Sequence, residues 1–175
     1  MAKRSVVQQT FRVSNKLNSS QREVAAGLII QEIFDRTQRG VDKNGKPFKS
    51  YTEQYVNSLD FKNTGKSRGD VNLTLTGDML GGLQLISHSP GLITIGYPET
   101  SSFTANKAEG NITGSYGKTP NRDNARDFLG LPKTVLERIS KRVLADSSVD
   151  NERASTELLG ALLDGLLTTT GGDDG

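Results

Sequence analysis

The single histidine of this chain, His88, is the first residue to question for chemistry. A catalytic histidine needs a carboxylate to orient one ring nitrogen and a nucleophile near the other. No motif around His88 supplies either. It follows an alternating stretch beside Ser89-Pro90-Gly91, where a solvated imidazole at a strand end is the simpler reading. With one histidine and no cysteine, a metal site would be built almost wholly from carboxylates. Asp42, Asn44 and Gly45 mimic part of a calcium loop. However, Gly40 would then stand at the first ligand position, and Tyr51 where a bidentate Glu is required. Asp173-Asp174 reads as a solvated acidic pair. The 19 glycines are scattered, and "GDMLGG" lacks the strand–turn–helix setting of a phosphate-cradling loop. The expectation is a protein that is not an enzyme and uses no cofactor or metal.

Composition narrows the class. At 175 residues, one domain with tails is expected, and an apolar fraction of 33% allows a modest core. A net charge of +2 with both signs interspersed is too mild for a dedicated nucleic-acid binder. The densest basic stretch, "KSRGD" with Lys62 before it, has no aromatic neighbours on which bases would stack. "MAKRSVVQQTF" is basic but lacks the apolar run of a signal peptide. No apolar run approaches membrane-spanning length, so no membrane partner is expected.

These residues are positioned by elements that the sequence pattern predicts. Phe11 and Val13 alternate with Arg12 and Ser14, which suits a short strand or an extended arm within residues 1–18. "SSQREVAAGLIIQEIFDRTQRG" predicts a helix over 20–39. Ser20 and Glu23 would form its capping box, Ala26, Ile29, Ile30, Ile33 and Phe34 its apolar face, and Gly40 its stop. Asn44-Gly45 marks a turn. "SYTEQYVNSLDF" predicts a short helix capped by Ser50, with Tyr51, Tyr55 and Leu59 on one stripe. Residues 62–70 read as a polar loop. Val71, Leu73 and Leu75 alternate like the start of a sheet, and Met79, Leu80 and Leu83 form one apolar turn. "LQLIS" and "LITIGY" then predict a hairpin.

From Glu99 to Asn124 the chain is polar, and a long loop is expected, mobile in the isolated subunit. The apolar hook "ARDFLGLP" follows. Phe128, Leu129 and Leu131 would anchor the returning chain, Gly130 would allow a tight turn, and Arg126 and Asp127 would lie at the surface or an interface. Val135, Leu136, Ile139 and Val143 predict a helix over 132–145. Leu158, Leu159, Leu162, Leu163 and Leu166 predict a last one over 152–167 with a contact stripe. The fold class expected is α+β: a small antiparallel sheet packed by helices, with a long polar loop and a C-terminal helix. The organisation is an arm (1–18), a central domain (19–146) and a C-terminal helix with its tail (147–175).

Three pieces line up in order: "RGVDKNGKPF" after a first helix, "LTLTGDMLGGL" before a hairpin, and "ARDFLGLP" before a late helix. Over residues 20–145 this set resembles the virion-morphogenesis, tail-completion and neck proteins of tailed bacteriophages. Relatives often carry an "A-x-x-H-x-x-G" element after the hairpin. Here "TANKAEGNITG" keeps Ala105 and Gly110 without the histidine. The resemblance implies a structural part that forms a homo-oligomeric ring at the head–tail junction of a virion, assembled in the host cytoplasm. Its partners would be the adjacent head–tail connector and tail proteins, with DNA passing through unread. The candidate assembly contacts are Arg122, Arg126, Asp127, Leu158, Leu162, Leu163 and Leu166. The alternative is a tail terminator or another tail-tube-capping protein.

Overall fold

In the computed structural model, residues 7–73, 78–98, 102–115 and 121–146 are described. Among them are three strands and six helices. The strands are β1 (Gln8–Arg12), β2 (Gln84–Ser89) and β3 (Leu92–Gly96). The helices are α1 (Ser19–Gln38), α2 (Glu53–Val56), α3 (Leu59–Lys62), α4 (Asp78–Gly81), α5 (Ser102–Thr113) and α6 (133–146). The sheet is antiparallel in the order β1-β3-β2, so the first strand of the chain joins a later hairpin. The protein is therefore α+β, with helices packed on a small antiparallel sheet.

The hairpin forms where alternation predicts it. Gly91 turns it at a φ of 77°, a backbone conformation that glycine takes without strain. β1 is not a detached arm. Phe11 is buried, pairs with Ile93 and faces α1 with it. Leu17, just past the strand, is buried as well.

α1 carries its apolar face across β2 and β3, burying Ala25, Ala26, Ile29 and Ile33. Its start differs from expectation. Asn18, and not Ser20, is the cap: its side chain accepts from the Gln21 N–H at 2.9 Å, while the Gln21 side chain accepts from the Asn18 N–H at 2.8 Å. An amide at N3 closes the reciprocal box as well as a glutamate does. α6 begins as predicted, with the Pro132 carbonyl accepting from Leu136 N–H at 3.3 Å. It buries Leu136, Ile139 and Val143 and is tied to α1 by an Arg138–Glu32 ion pair at 3.1 Å.

The largest correction concerns residues 99–124. The predicted loop contains α5, a helix of 12 residues. Ala105 and Ala108 are buried and Ile112 packs against the core at i, i+3 and i+7, which is helical spacing with small side chains. The expectation of loop structure fails over Ser102–Thr113, which is helical. Gly114 ends α5 at a φ of 71°, and a Cβ there would lie 2.3 Å from the Asn121 carbonyl.

A second correction concerns "SYTEQYVNSLDF". Thr52 caps α2 and Ser58 caps α3, so one predicted helix is two single turns. The break sends Leu59 outward, 77% exposed, and brings Phe61 in beside Tyr51 and Tyr55. Residues 71–73 are not strand. Met79, Leu80 and Leu83 are buried in one apolar turn, as predicted.

Candidate functional site

The hook and the 40–48 turn form the densest meeting of sequence-selected residues. The turn is held from inside: the Asp42 carboxylate accepts from Asn44 N–H at 2.8 Å and Lys46 N–H at 2.9 Å. Gly45 sits at a φ of 79°. Asp42 is thus spent on the backbone of its own turn. Main-chain pairing then joins turn to hook, with Lys43 N–H donating to the Asp127 carbonyl at 3.1 Å. The Lys43 ammonium and the Asp127 carboxylate form an ion pair at 2.5 Å on the surface of this joint.

Beneath them lies Arg36, from the last turn of α1. Only 5% of it is exposed, and its guanidinium donates to the Phe128 and Gly130 carbonyls. Burial lowers its pKa from the ordinary guanidinium value, while Asp42, Asp127 and Glu32 act in the opposite direction. A guanidinium keeps its proton under these conditions. Arg36 therefore clamps the hook by satisfying two carbonyls that an extended chain leaves open. Phe128 is fully buried and Leu129 buried, and Leu131 packs partly against the core. The hook is core first. Gly130 does not serve a left-handed turn. It lies against the Lys43 side chain, which would have to shift to admit a Cβ there.

Arg126 also turns inward, contrary to a surface role. Its N–H donates to the Asn111 carbonyl at 2.6 Å, and its side chain donates to the Lys49 carbonyl at 3.2 Å. The guanidinium lies 5.2 Å from the Tyr51 ring centre. Burial lowers its pKa, opposed by Tyr51 and Tyr55. Asp127 reaches the surface, but in the Lys43 pair. Arg122 is exposed on a 3-10 turn, Arg122–Asn124. Arg122, Arg126 and Asp127 thus lie close in sequence but face different surroundings. Leu158, Leu162, Leu163 and Leu166 lie outside the described residues, as does the predicted 152–167 helix.

His88 stands within β2, half-buried over the start of α1. Its Nδ1 accepts from Arg22 Nε at 3.2 Å, and its Nε2 lies 3.6 Å from the Glu23 carboxylate. Sequence reading missed both neighbours, because they come from a helix more than sixty residues away in the chain. A carboxylate is present, but among the described residues no hydroxyl is hydrogen-bonded to the ring. No group of three or more His, Asp or Glu that could hold a metal occurs among the described residues.

Sequence reading also missed the Arg36 clamp. The signal was there: Arg36 and Thr37 follow Ile33 at i+3 and i+4, which places both on the buried face. No protein-family model matches this chain, and neither the curated proteins nor the solved structures yield a match. Among the described residues, no helix is long and apolar enough to cross a membrane.

Proposed function

We propose that this chain is a structural virion protein that forms a ring at the head–tail junction of a tailed bacteriophage and lets DNA pass. The observation that carries this reading is the joint between the "RGVDKNGKPF" turn and the "ARDFLGLP" hook. Two of the three ordered motifs behind the resemblance are one packed unit, held by Arg36, by Lys43 N–H and by the Lys43–Asp127 pair. The third contributes the buried turn of Met79 and Leu80, whose Met79 carbonyl accepts from the buried Tyr97 hydroxyl at 2.8 Å. Motifs that pack on one another act as one unit of the fold, which supports reading them together. The exposed Arg122 is a contact residue in this reading, while Arg126 and Asp127 hold the hook in place.

The role is non-enzymatic: His88 serves the α1–β2 contact. A mildly positive protein suits a passage for DNA, because many phosphate contacts would hold the genome back. The test is electron microscopy of particles carrying a tag on this chain. Label at the junction of head and tail, with rings of the purified chain, supports the proposal. Label at the far end of the tail tube, or no label on particles, overturns it.

A further inference from the structure

Among the described residues, β1 is one edge of the sheet, and its outer side is an open ladder. Tyr97 N–H donates to the Val7 carbonyl and Val13 N–H to the Gly91 carbonyl, framing the β1–β3 register. In an antiparallel pair, alternate residues then turn their main-chain groups to the partner strand. Val7, Gln9, Phe11 and Val13 face β3, so Gln8, Thr10 and Arg12 turn theirs outward. Among the described residues, the one hydrogen bond to these outward groups comes from within the strand: the Gln9 side chain donates to the Thr10 carbonyl at 3.2 Å.

The same edge walls a groove of about 530 Å³, with Lys43, Asn44, Leu131 and Pro132 opposite. The groove leaves room beside the ladder and gives an added strand a partly apolar floor. The other edge differs, because a bulge between Leu85 and Ser87 interrupts β2. Bulges blunt an edge, whereas a regular open one pairs with another extended chain.

The residues on the open edge fit their own copy. Laid antiparallel with Thr10 opposite Thr10 of a second molecule, each Gln8 faces an Arg12. No like charges then stand opposite, and the guanidinium meets an amide oxygen. Sliding the pairing by two residues on each strand would set Arg12 against Arg12. In the Thr10-centred register each of the three facing pairs exchanges two main-chain hydrogen bonds.

We infer that the outer edge of β1 is a two-fold seam, on which a second copy of this chain adds its own β1 antiparallel, centred on Thr10. The inference does not rest on the neck reading. A ring generated by rotation joins unlike surfaces, whereas this seam joins like to like.

The chain has no cysteine, so single-cysteine variants report the seam directly. Hydrogen-bonded antiparallel pairs hold their Cα atoms about 5.5 Å apart. That distance lies inside the roughly 4.4–6.8 Å span of a disulfide. Under copper–phenanthroline oxidation, Thr10→Cys is expected to give mostly disulfide-linked dimer. Gln8→Cys alone is expected to stay monomeric on a denaturing gel, since its two copies would sit about 14 Å apart along the strands. An equal mixture of Gln8→Cys and Arg12→Cys is expected to cross-link. Thr10→Pro deletes the outward N–H while sparing the ladder to β3, and should halve the mass measured by light scattering. Cross-linking of Thr10→Cys no faster than of Gln8→Cys overturns the inference. So does a parent chain that is monomeric throughout, or a folded Thr10→Pro with the parent's mass. Should Thr10→Pro not fold, the cysteine comparison decides alone.

Discussion

Residues 49–73 and residues 102–131 are both polar by composition, and Arg126 joins the two through the Lys49 carbonyl and the Tyr51 ring. They are held in different ways. The first segment has three packed rings: Tyr51, Tyr55 and Phe61 lie with centroids 5.1–5.4 Å apart, tilted or edge-on. Around them, short polar links close the loop. Arg68 Nε donates to the Tyr51 carbonyl at 3.0 Å, and the Ser67 N–H and hydroxyl donate to Asp70 at 2.9 and 2.8 Å. The second segment buries the small side chains of α5 and the large Phe128, and α1 clamps it through Arg36. The difference teaches that polarity does not decide order. A segment is ordered by the few residues it can bury, and alanines at helical spacing can supply that buried face.

The comparison breaks most visibly at Phe128. Phe128→Ala should cost about 3–5 kcal/mol, because a fully buried ring leaves a cavity behind. Thermal unfolding of variant and parent checks it, and an unchanged midpoint would mean that α5 alone holds the segment. Next comes Arg36→Ala, expected to cost about 1–3 kcal/mol by stranding the buried Phe128 carbonyl and the Gly130 carbonyl. Denaturant unfolding reads this, and protease cutting within 125–131 should quicken.

Arg126 links the two segments, so Arg126→Leu sharpens the contrast. It should cost about 1 kcal/mol, near the worth of a partly desolvated cation over a ring. It should also change the alkaline response. Burial raises the Tyr51 pKa, with Arg126 opposing. A raised folded-state value gives stability that is whole below about pH 10 and is lost as pH climbs through the folded value. Without Arg126 the Tyr51 value rises further, so the alkaline loss should be larger. Melting curves at stepped pH, parent against variant, check the sign.

The smallest effect belongs to the exposed loop. Ser67→Ala should lower the neutral-pH midpoint only slightly and leave the midpoint at the acid end unchanged. Asp70 is held below its usual pKa by the Ser67 N–H first and the Ser67 hydroxyl second. That contribution is present above the ordinary carboxylate range and fades as pH falls through the folded value. Ser67→Ala should therefore flatten the acid limb slightly, as pH-dependent melting would record.

The strongest periodicities in the chain were legible. The hairpin followed from alternation in "LQLIS" and "LITIGY", and α6 from Val135, Leu136, Ile139 and Val143. The body of α1 was legible too, while its cap moved back to Asn18 because an amide pair could close the box. α5 was hidden because its buried face is Ala105 and Ala108, and small side chains carry little apolar signal. The Tyr51–Tyr55–Leu59 stripe failed because Ser58 starts a new turn, which no hydrophobic pattern reports. At the hook, the anchoring role of Phe128 and Leu129 could be read locally. The inward turn of Arg126 could not, since Tyr51 and Lys49 lie more than seventy residues upstream.

The order of strands has a consequence for synthesis. β1 leaves the ribosome before β3, its neighbour within the sheet; the Thr10 and Thr94 hydroxyls that meet at 2.9 Å are 84 residues apart in the chain. At translation speeds of about 5–20 residues per second, that gap lasts roughly 4–17 s. Closing so long a loop is slow beside forming the local β2–β3 hairpin. During that interval Phe11 has no Ile93 to cover it, and the nascent chain carries an unburied aromatic strand. A holding chaperone acting on this protein would find its target there, before β3 has been made.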